Sequence, residues 1–231
     1  MVEITWLGHS TFELKLATGE VLLFDPWLGN PKYPEGHTIG RVDAILVSHG
    51  HFDHIADAGS LAKKHGATVV SIYEICGWLQ KHGVEKAAPM NKGGSQKVCG
   101  VNVIMTHALH SSGIQDEHGN IVYAGDPAGF VLEFSDGRSA YFAGDTAVFG
   151  DMALIEQLYH PELCFLPIGD LFTMCPKQAE LAVKLLKPKT VIPMHYGTFP
   201  PLTGRPEDLA ARVESQGVKV WALEPGKAVS W

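Results

Sequence analysis

Within six consecutive residues, His49-Gly50-His51-Phe52-Asp53-His54, four side chains are able to bind a metal ion. Residues i and i+2 of an extended segment point the same way, so His49 and His51 can converge on one ion. Asp53 and His54, at the turn into the next element, can face a second ion beside it. Gly50 lets the backbone turn tightly without a side-chain clash. Imidazole and carboxylate donors suit zinc, iron or manganese. A chance cluster of surface histidines is the bland alternative, and four donors in six positions at a strand-to-helix corner argue against it.

Two ions need more ligands than this, since each typically takes four or five donors, counting a shared water. His110, Asp145 and His195 each lie just past an apolar run: Val101–Thr106, Ser139–Phe142 and Thr190–Pro193. Taken alone each is weak, because a single His after a strand is more often a satisfied structural residue. His107 competes with His110, and Asp126, in a second Ala-Gly-Asp, competes with Asp145. The residues by themselves leave both choices open. Asp25, ending a run before Pro26, is a candidate partner for a ligand imidazole, which usually gives its second N–H to such a group. A plain turn Asp is an equal reading. His9, Ser111, Ser112, Asp170, Thr173 and Tyr196 are candidates to support the ligands or touch a substrate. Trp27, Phe172 and Phe199 are candidate walls of an apolar pocket, although aromatics are more often core. His37, His65, His82, His118 and His160 read as surface or loop residues. No GxSxG elbow is present to support a serine nucleophile.

The elements that must position these groups follow from the apolar pattern. Val2–Leu7, Phe12–Leu16 and Val21–Phe24 predict a β-meander, followed by a Pro- and Gly-rich loop from Pro26 to Gly40. That loop is long for a structureless connection and is a candidate functional segment. Ala44–Val47 predicts a short buried strand that delivers the histidine cluster. Ile55–His65 and Ile72–His82 predict helices, with Ala67–Val70 as the strand between them. Val101–Thr106, Ile121–Tyr123, Phe130–Phe134 and Ser139–Phe142 predict a second β-rich block. Helices over Asp151–Leu158, Pro176–Leu186 and Pro206–Gln216 then alternate with strands Leu163–Leu166, Thr190–Pro193 and Lys219–Ala222. Two β blocks, each trailed by α/β alternation, predict two sheets packed together with helices outside both. The expected fold class is α/β (α+β), a four-layer αββα sandwich in a single domain over residues 1–231.

The 231 residues bury a substantial core, and a 45% apolar, 19% charged composition excludes disorder. With 18 basic and 25 acidic residues the net charge is −7, without the basic footprint of a nucleic-acid binder or a polybasic membrane patch. No run approaches the length of a membrane helix, and MVEITWLGHS has no signal-peptide pattern. Cys76, Cys99, Cys164 and Cys175 form no CxxC pair and read as reduced, buried small hydrophobes in a cytoplasmic protein. The expected partner is a small-molecule substrate, with no nucleic acid and no stable membrane insertion, and a homo-oligomer is left open.

In order along the chain, WLGHST, FDPWL, HGHFDH, HSSG, GDT, PIGD-x-FTM and HYGTFP resemble the metallo-β-lactamase superfamily. The resemblance runs from Trp6 to Tyr196. Within it, the chain is similar to short metal-dependent hydrolases related to L-ascorbate-6-phosphate lactonase and N-acyl-phosphatidylethanolamine phospholipase D. The resemblance implies His49, His51 and His110 on one metal, Asp53, His54 and His195 on the other, and Asp145 bridging both. It implies Asp53 and His54 as the catalytic pair. It implies two divalent ions per chain, zinc first, with manganese, iron or nickel as alternatives. A metal lowers the pKa of bound water to about 7, so a metal-bound hydroxide would attack an ester, lactone or phosphodiester bond. Classical lactamases of the fold generally lack the bridging Asp, which turns the expectation away from β-lactams. The rival readings are a sugar-acid-phosphate lactonase specifically, a di-metal redox centre on the same scaffold, and a metal-binding protein without turnover.

Overall fold

The computed structural model describes residues 1–231 and divides into two compact units. The first comprises Met1–Asn91, Ser111–Pro127 and Leu223–Trp231; the second comprises Lys92–His110 and Ala128–Ala222.

In the first unit, strands β1 (Glu3–Trp6), β2 (Phe12–Lys15) and β3 (Val21–Phe24) form the expected antiparallel meander. Strands β4 (Ala44–Leu46), β5 (Thr68–Ile72) and β6 (Ala87–Met90) then add in parallel. β3 and β4 are buried at every position, which is how strands covered on both faces read. Helices α1 (Phe52–Ile55), α2 (Ala58–His65) and α3 (Tyr73–Lys81) lie in the crossovers that parallel strands require. The helix expected over Ile55–His65 is in fact divided between α1 and α2. Asp57 causes the break: its N–H goes to Pro26 O at 3.0 Å, and its carboxylate takes the Leu28 N–H at 2.7 Å. The long loop from Pro26 is thereby pinned to the helix that follows the histidine cluster.

The second unit repeats this plan. Strands β7 (Ser95–Val98), β8 (Val101–His107), β11 (Ala128–Glu133) and β12 (Ser139–Phe142) pair antiparallel. β13 (Leu163–Pro167), β14 (Thr190–Met194) and β15 (Lys219–Val220) follow in parallel. Helices α4 (Met152–Tyr159), α5 (Pro176–Leu186) and α6 (Pro206–Val213) connect them. Pro176 and Pro206 open their helices, where a missing N–H is harmless. The last turn of the expected helix to Gln216 is a 3₁₀ segment, Glu214–Gln216. Each unit therefore contains one seven-stranded sheet with three antiparallel and three parallel pairings. The orders are β16-β1-β2-β3-β4-β5-β6 and β15-β14-β13-β12-β11-β8-β7, with β16 at Ala228–Ser230. A small hairpin, β9 (Gly113–Gln115) with β10 (Ile121–Tyr123), belongs to the first unit.

Cys76 and Cys164 are buried as expected, but Cys99 and Cys175 are half-exposed, because both stand at turns rather than inside elements. All four are free thiols. No helix is long and apolar enough to cross a membrane.

Candidate metal centre

The donors stand where strands end. Ligands of open α/β sheets collect outside the carboxyl ends of parallel strands, where successive loops diverge. β4 ends at Leu46, the backbone continues beside β5 through Val47 N–H to Val70 O at 3.0 Å, and His49 follows. His49 is fully buried and His51 half-buried, with His49 Nε2 2.9 Å from His51 Nδ1. The alternation expected of residues i and i+2 therefore brings the two rings together. Gly50 serves a purpose other than a tight turn. A Cβ there would stand 2.7 Å from Ala124 Cβ and 2.8 Å from Ile114 Cγ1, so the position has no room for a side chain. Its N–H is held by Ser112 Oγ at 3.1 Å.

Helix α1 then turns Asp53 and His54 inward, both buried. His54 Nε2 is 3.8 Å from Asp53 Oδ2, and the His49 and His54 rings are 4.1 Å apart at their centroids. His9, fully buried in the turn after β1, places Nε2 2.9 Å from Asp53 Oδ2. Asp25 ends β3 with no exposed surface. It accepts the Ser48 N–H at 2.7 Å and the Ser48 hydroxyl at 2.6 Å, and it meets His54 Nδ1 at 2.7 Å. Ser48 Oγ in turn lies 3.0 Å from His49 Nδ1. One carboxylate thus holds two imidazoles, His54 directly and His49 through Ser48. Both are fixed with the proton on Nδ1, which leaves Nε2 as the donor atom. Burial pushes the Asp25 carboxyl above its ordinary range, and His54 beside it pulls it back. The relay through Ser48 escaped the sequence reading; its only signal was a hydroxyl residue immediately before His49.

In the second unit Asp145 lies three residues past the end of β12 and His195 one past β14. His195 Nε2 is 3.0 Å from Asp145 Oδ2, and His110 Nε2 is 3.7 Å from the same oxygen. Thr146, fully buried, accepts the Leu109 N–H at 3.0 Å, and Ala147 N–H returns to Leu109 O at 3.0 Å. These bonds tie the His110 loop to the Asp145 loop. The competitors stand elsewhere. His107 is exposed, with Nδ1 3.3 Å from Lys92 Nζ and its ring against the Phe149 edge. Asp126 is exposed beside Tyr123, whose phenol it holds above the usual range.

Ser111 is exposed, with Oγ 3.4 Å from His51 Nε2. Asp170 is exposed and accepts the Leu171 N–H within its own loop at 2.8 Å. Tyr196 is buried, and burial with Glu207 nearby raises its phenol to about 12, so it is a neutral O–H donor at physiological pH. Burial also raises Cys76 to about 11 and Cys164 further, which removes both as thiolate nucleophiles. Three donor-bearing positions, His9, Asp25 and His195, have left-handed backbone with φ of 52°, 40° and 56°. Backbone strain of this kind clusters at functional sites.

The donor set fits a divalent cation. Two nitrogens on one tetrahedral zinc stand about 3.3 Å apart for bonds near 2.0–2.1 Å, close to the His49–His51 separation. The imidazoles that Asp25 fixes are presented through one nitrogen each, as metal ligation requires. Asp25→Asn should therefore weaken metal retention by about 10- to 100-fold, because an amide N–H facing His54 Nδ1 disrupts the tautomer. Chelator competition on the folded protein measures this; unchanged retention would remove Asp25 from the ligand support.

Comparison with known proteins agrees with this chemistry. The model of the β-lactamase superfamily domain matches residues 21–196. The chain is 62% identical over 231 residues to a UPF0173 metal-dependent hydrolase of Solibacter usitatus, with 100% of both chains covered. It is 49% identical over 231 residues to a metal-dependent hydrolase of Koribacter versatilis, covering 99% of this chain and 98% of that one. Igni18, a metallo hydrolase of the archaeon Ignicoccus hospitalis, superposes with a TM-score of 0.88 at 38% identity, covering 99% of this chain and 97% of that one. The chain belongs to the metallo-β-lactamase superfamily and, within it, to the metal-dependent hydrolases. The two mixed sheets and their crossover helices are that family's fold.

Proposed function

We propose that the protein is a dinuclear metal-dependent hydrolase acting on an ester, lactone or phosphodiester bond of a small molecule. The observation that carries this reading is the Asp145 carboxylate flanked by two imidazoles, His195 and His110. Two imidazoles on one carboxylate oxygen suit a shared ligand better than a structural ion pair. In the arrangement that the family implies, His49, His51 and His110 would hold one ion, Asp53, His54 and His195 the other, and Asp145 both. Zinc is the first choice for this His- and Asp-rich set, with manganese, iron or nickel as alternatives. The ions would supply an activated water at neutral pH and polarise the substrate oxygen.

The chain's own groups do the rest. Asp53 takes the proton released as water adds to the carbonyl or phosphoryl centre, and returns it to the leaving oxygen as the scissile bond breaks. His9, 2.9 Å from Asp53 Oδ2 and fully buried, holds that carboxylate in one orientation. His54, fixed by Asp25, stands beside it. The four free cysteines suit a reducing cytoplasm.

Protein purified without chelator should contain two ions per chain by elemental analysis. It should hydrolyse members of a phosphodiester, lactone and ester panel, and chelator should abolish that turnover. A metal content far below one, not restored by added zinc or manganese, would sink the dinuclear reading. Full occupancy with no turnover across the panel would leave a metal-binding protein.

A further inference from the structure

The loop from Gly169 to Met174 connects β13 to α5 and is fastened at both ends to ligand-bearing backbone. Gly169 packs so closely on His195 that a Cβ would overlap the His195 carbonyl oxygen. Its own carbonyl accepts the Gly204 N–H at 3.3 Å. At the other end, Met174 N–H reaches Thr146 O at 3.2 Å, one residue past Asp145. The loop closes on itself through Asp170 N–H to Met174 O at 3.0 Å. Between these fastenings stand two consecutive left-handed residues, Asp170 at φ 70° and Leu171 at φ 56°. Left-handed backbone is disfavoured for side chains larger than glycine, and Leu lacks the local hydrogen bonds that ease it for Asn and Asp. This backbone presents Leu171 and Phe172 outward, 61% and 58% exposed. Core packing therefore does not explain either side chain or the strain that displays them. Phe172 is two residues from Met174, so its Cα lies within about 7 Å of the Thr146 fastening.

We infer that this strap is a specificity element whose Leu171 and Phe172 contact a hydrocarbon substituent, alkyl or aryl, directly beside the scissile bond. The inference rests on the hydrolase reading above and names the substrate class that it left open. Strain displaying apolar side chains on a strap fastened beside Thr146 and against His195 has a use only if something apolar arrives there. Fastening at both ends keeps the tip from collapsing onto the protein in the meantime.

The test uses the metal-replete full-length protein and straight-chain carboxylates from acetate to octanoate as product-like probes, with affinity measured calorimetrically. In the wild type, affinity should rise by about twofold for each added methylene, a partial share of full methylene burial. In Leu171→Asn and in Phe172→Ala that chain-length dependence should flatten, while acetate affinity and metal content stay unchanged. Asn tolerates the left-handed backbone, so Leu171→Asn should also raise Tm by about 2–4 °C. A purely structural loop gives the opposite pattern: Tm falls and the slope is retained. A wild type with no chain-length dependence, or variants that keep it, overturns the inference. The two readings fail separately. A flat slope with intact metal-dependent hydrolysis removes the strap alone. A steep slope that the variants abolish, in a protein that hydrolyses nothing, supports the strap and removes the hydrolase.

Discussion

Asp145→Ala should strip the protein of metal, while Asp126→Ala should leave metal content at the wild-type level. Both aspartates follow Ala-Gly, and both sit near strand ends, so the pair is an internal control. Asp145 is 2% exposed, with imidazole nitrogens at 3.0 and 3.7 Å from one of its oxygens. Asp126 is exposed in the turn between β10 and β11. In the dinuclear centre proposed above this carboxylate supports both ions, so its loss should lower occupancy to well below one and cut activity by at least about a hundredfold. Circular dichroism should show both variants folded, since each residue lies at a loop rather than within a strand. Side-by-side elemental analysis decides the matter. If Asp126→Ala empties the centre and Asp145→Ala does not, the ligand assignment stands on the wrong copy.

Asp53→Ala should lower kcat by about 10²- to 10⁴-fold even when metal is supplied in excess, the range for removing a positioned proton-transfer group. Saturating metal separates the two roles proposed for this residue. Weakened ligation is compensated by added ion, whereas a missing proton carrier is not. Asp53→Glu keeps a carboxylate but lengthens its reach past the 2.9 Å contact with His9, and should recover metal occupancy more fully than rate. The kinetic signature is a loss in kcat with KM little changed. Near-normal turnover of Asp53→Ala at saturating metal would reduce Asp53 to a ligand only.

The histidine cluster was legible because donor spacing and strand periodicity agree at one place: the apolar Ala44–Leu46 strand feeds His49 directly. The two-block plan was legible for the same reason, since buried strands such as Val21–Phe24 and Leu163–Pro167 are continuous apolar runs. Other elements carried no such signal. β6, Ala-Ala-Pro-Met, includes a proline and pairs only at the sheet edge, where a missing N–H is tolerated. β9 and β16 are three residues each, too short for a period to register. The break between α1 and α2 depends on Asp57 receiving the Leu28 N–H, a contact between residues 29 apart. In the site, residue types pointed to His107 and His110 equally; geometry separates them, because His107 still belongs to β8 and faces Lys92. The left-handed pair Asp170-Leu171 was invisible, since leucine is no sequence marker for that backbone.

The left-handed backbone at His9, Asp25 and His195 has a consequence for descent. Each position asks the chain to tolerate up to about 1–2 kcal/mol that glycine would avoid, against a total stability of roughly 5–15 kcal/mol. Asp and His bear the conformation better than most residues, but neither is favoured there on stability alone. What keeps them in place is the chemistry of their side chains and of the buried groups that Asp25 and His9 meet, Ser48, His54 and Asp53, which belong to the same centre. Lineages that stop using the centre should therefore lose these residues early, with Gly or Asn fixing at positions 9, 25 and 195 while the sheets around them are still conserved. Copies of this fold that have become scaffolds or binding proteins should bear that mark, and a laboratory lineage selected for heat tolerance without selection for turnover should acquire it.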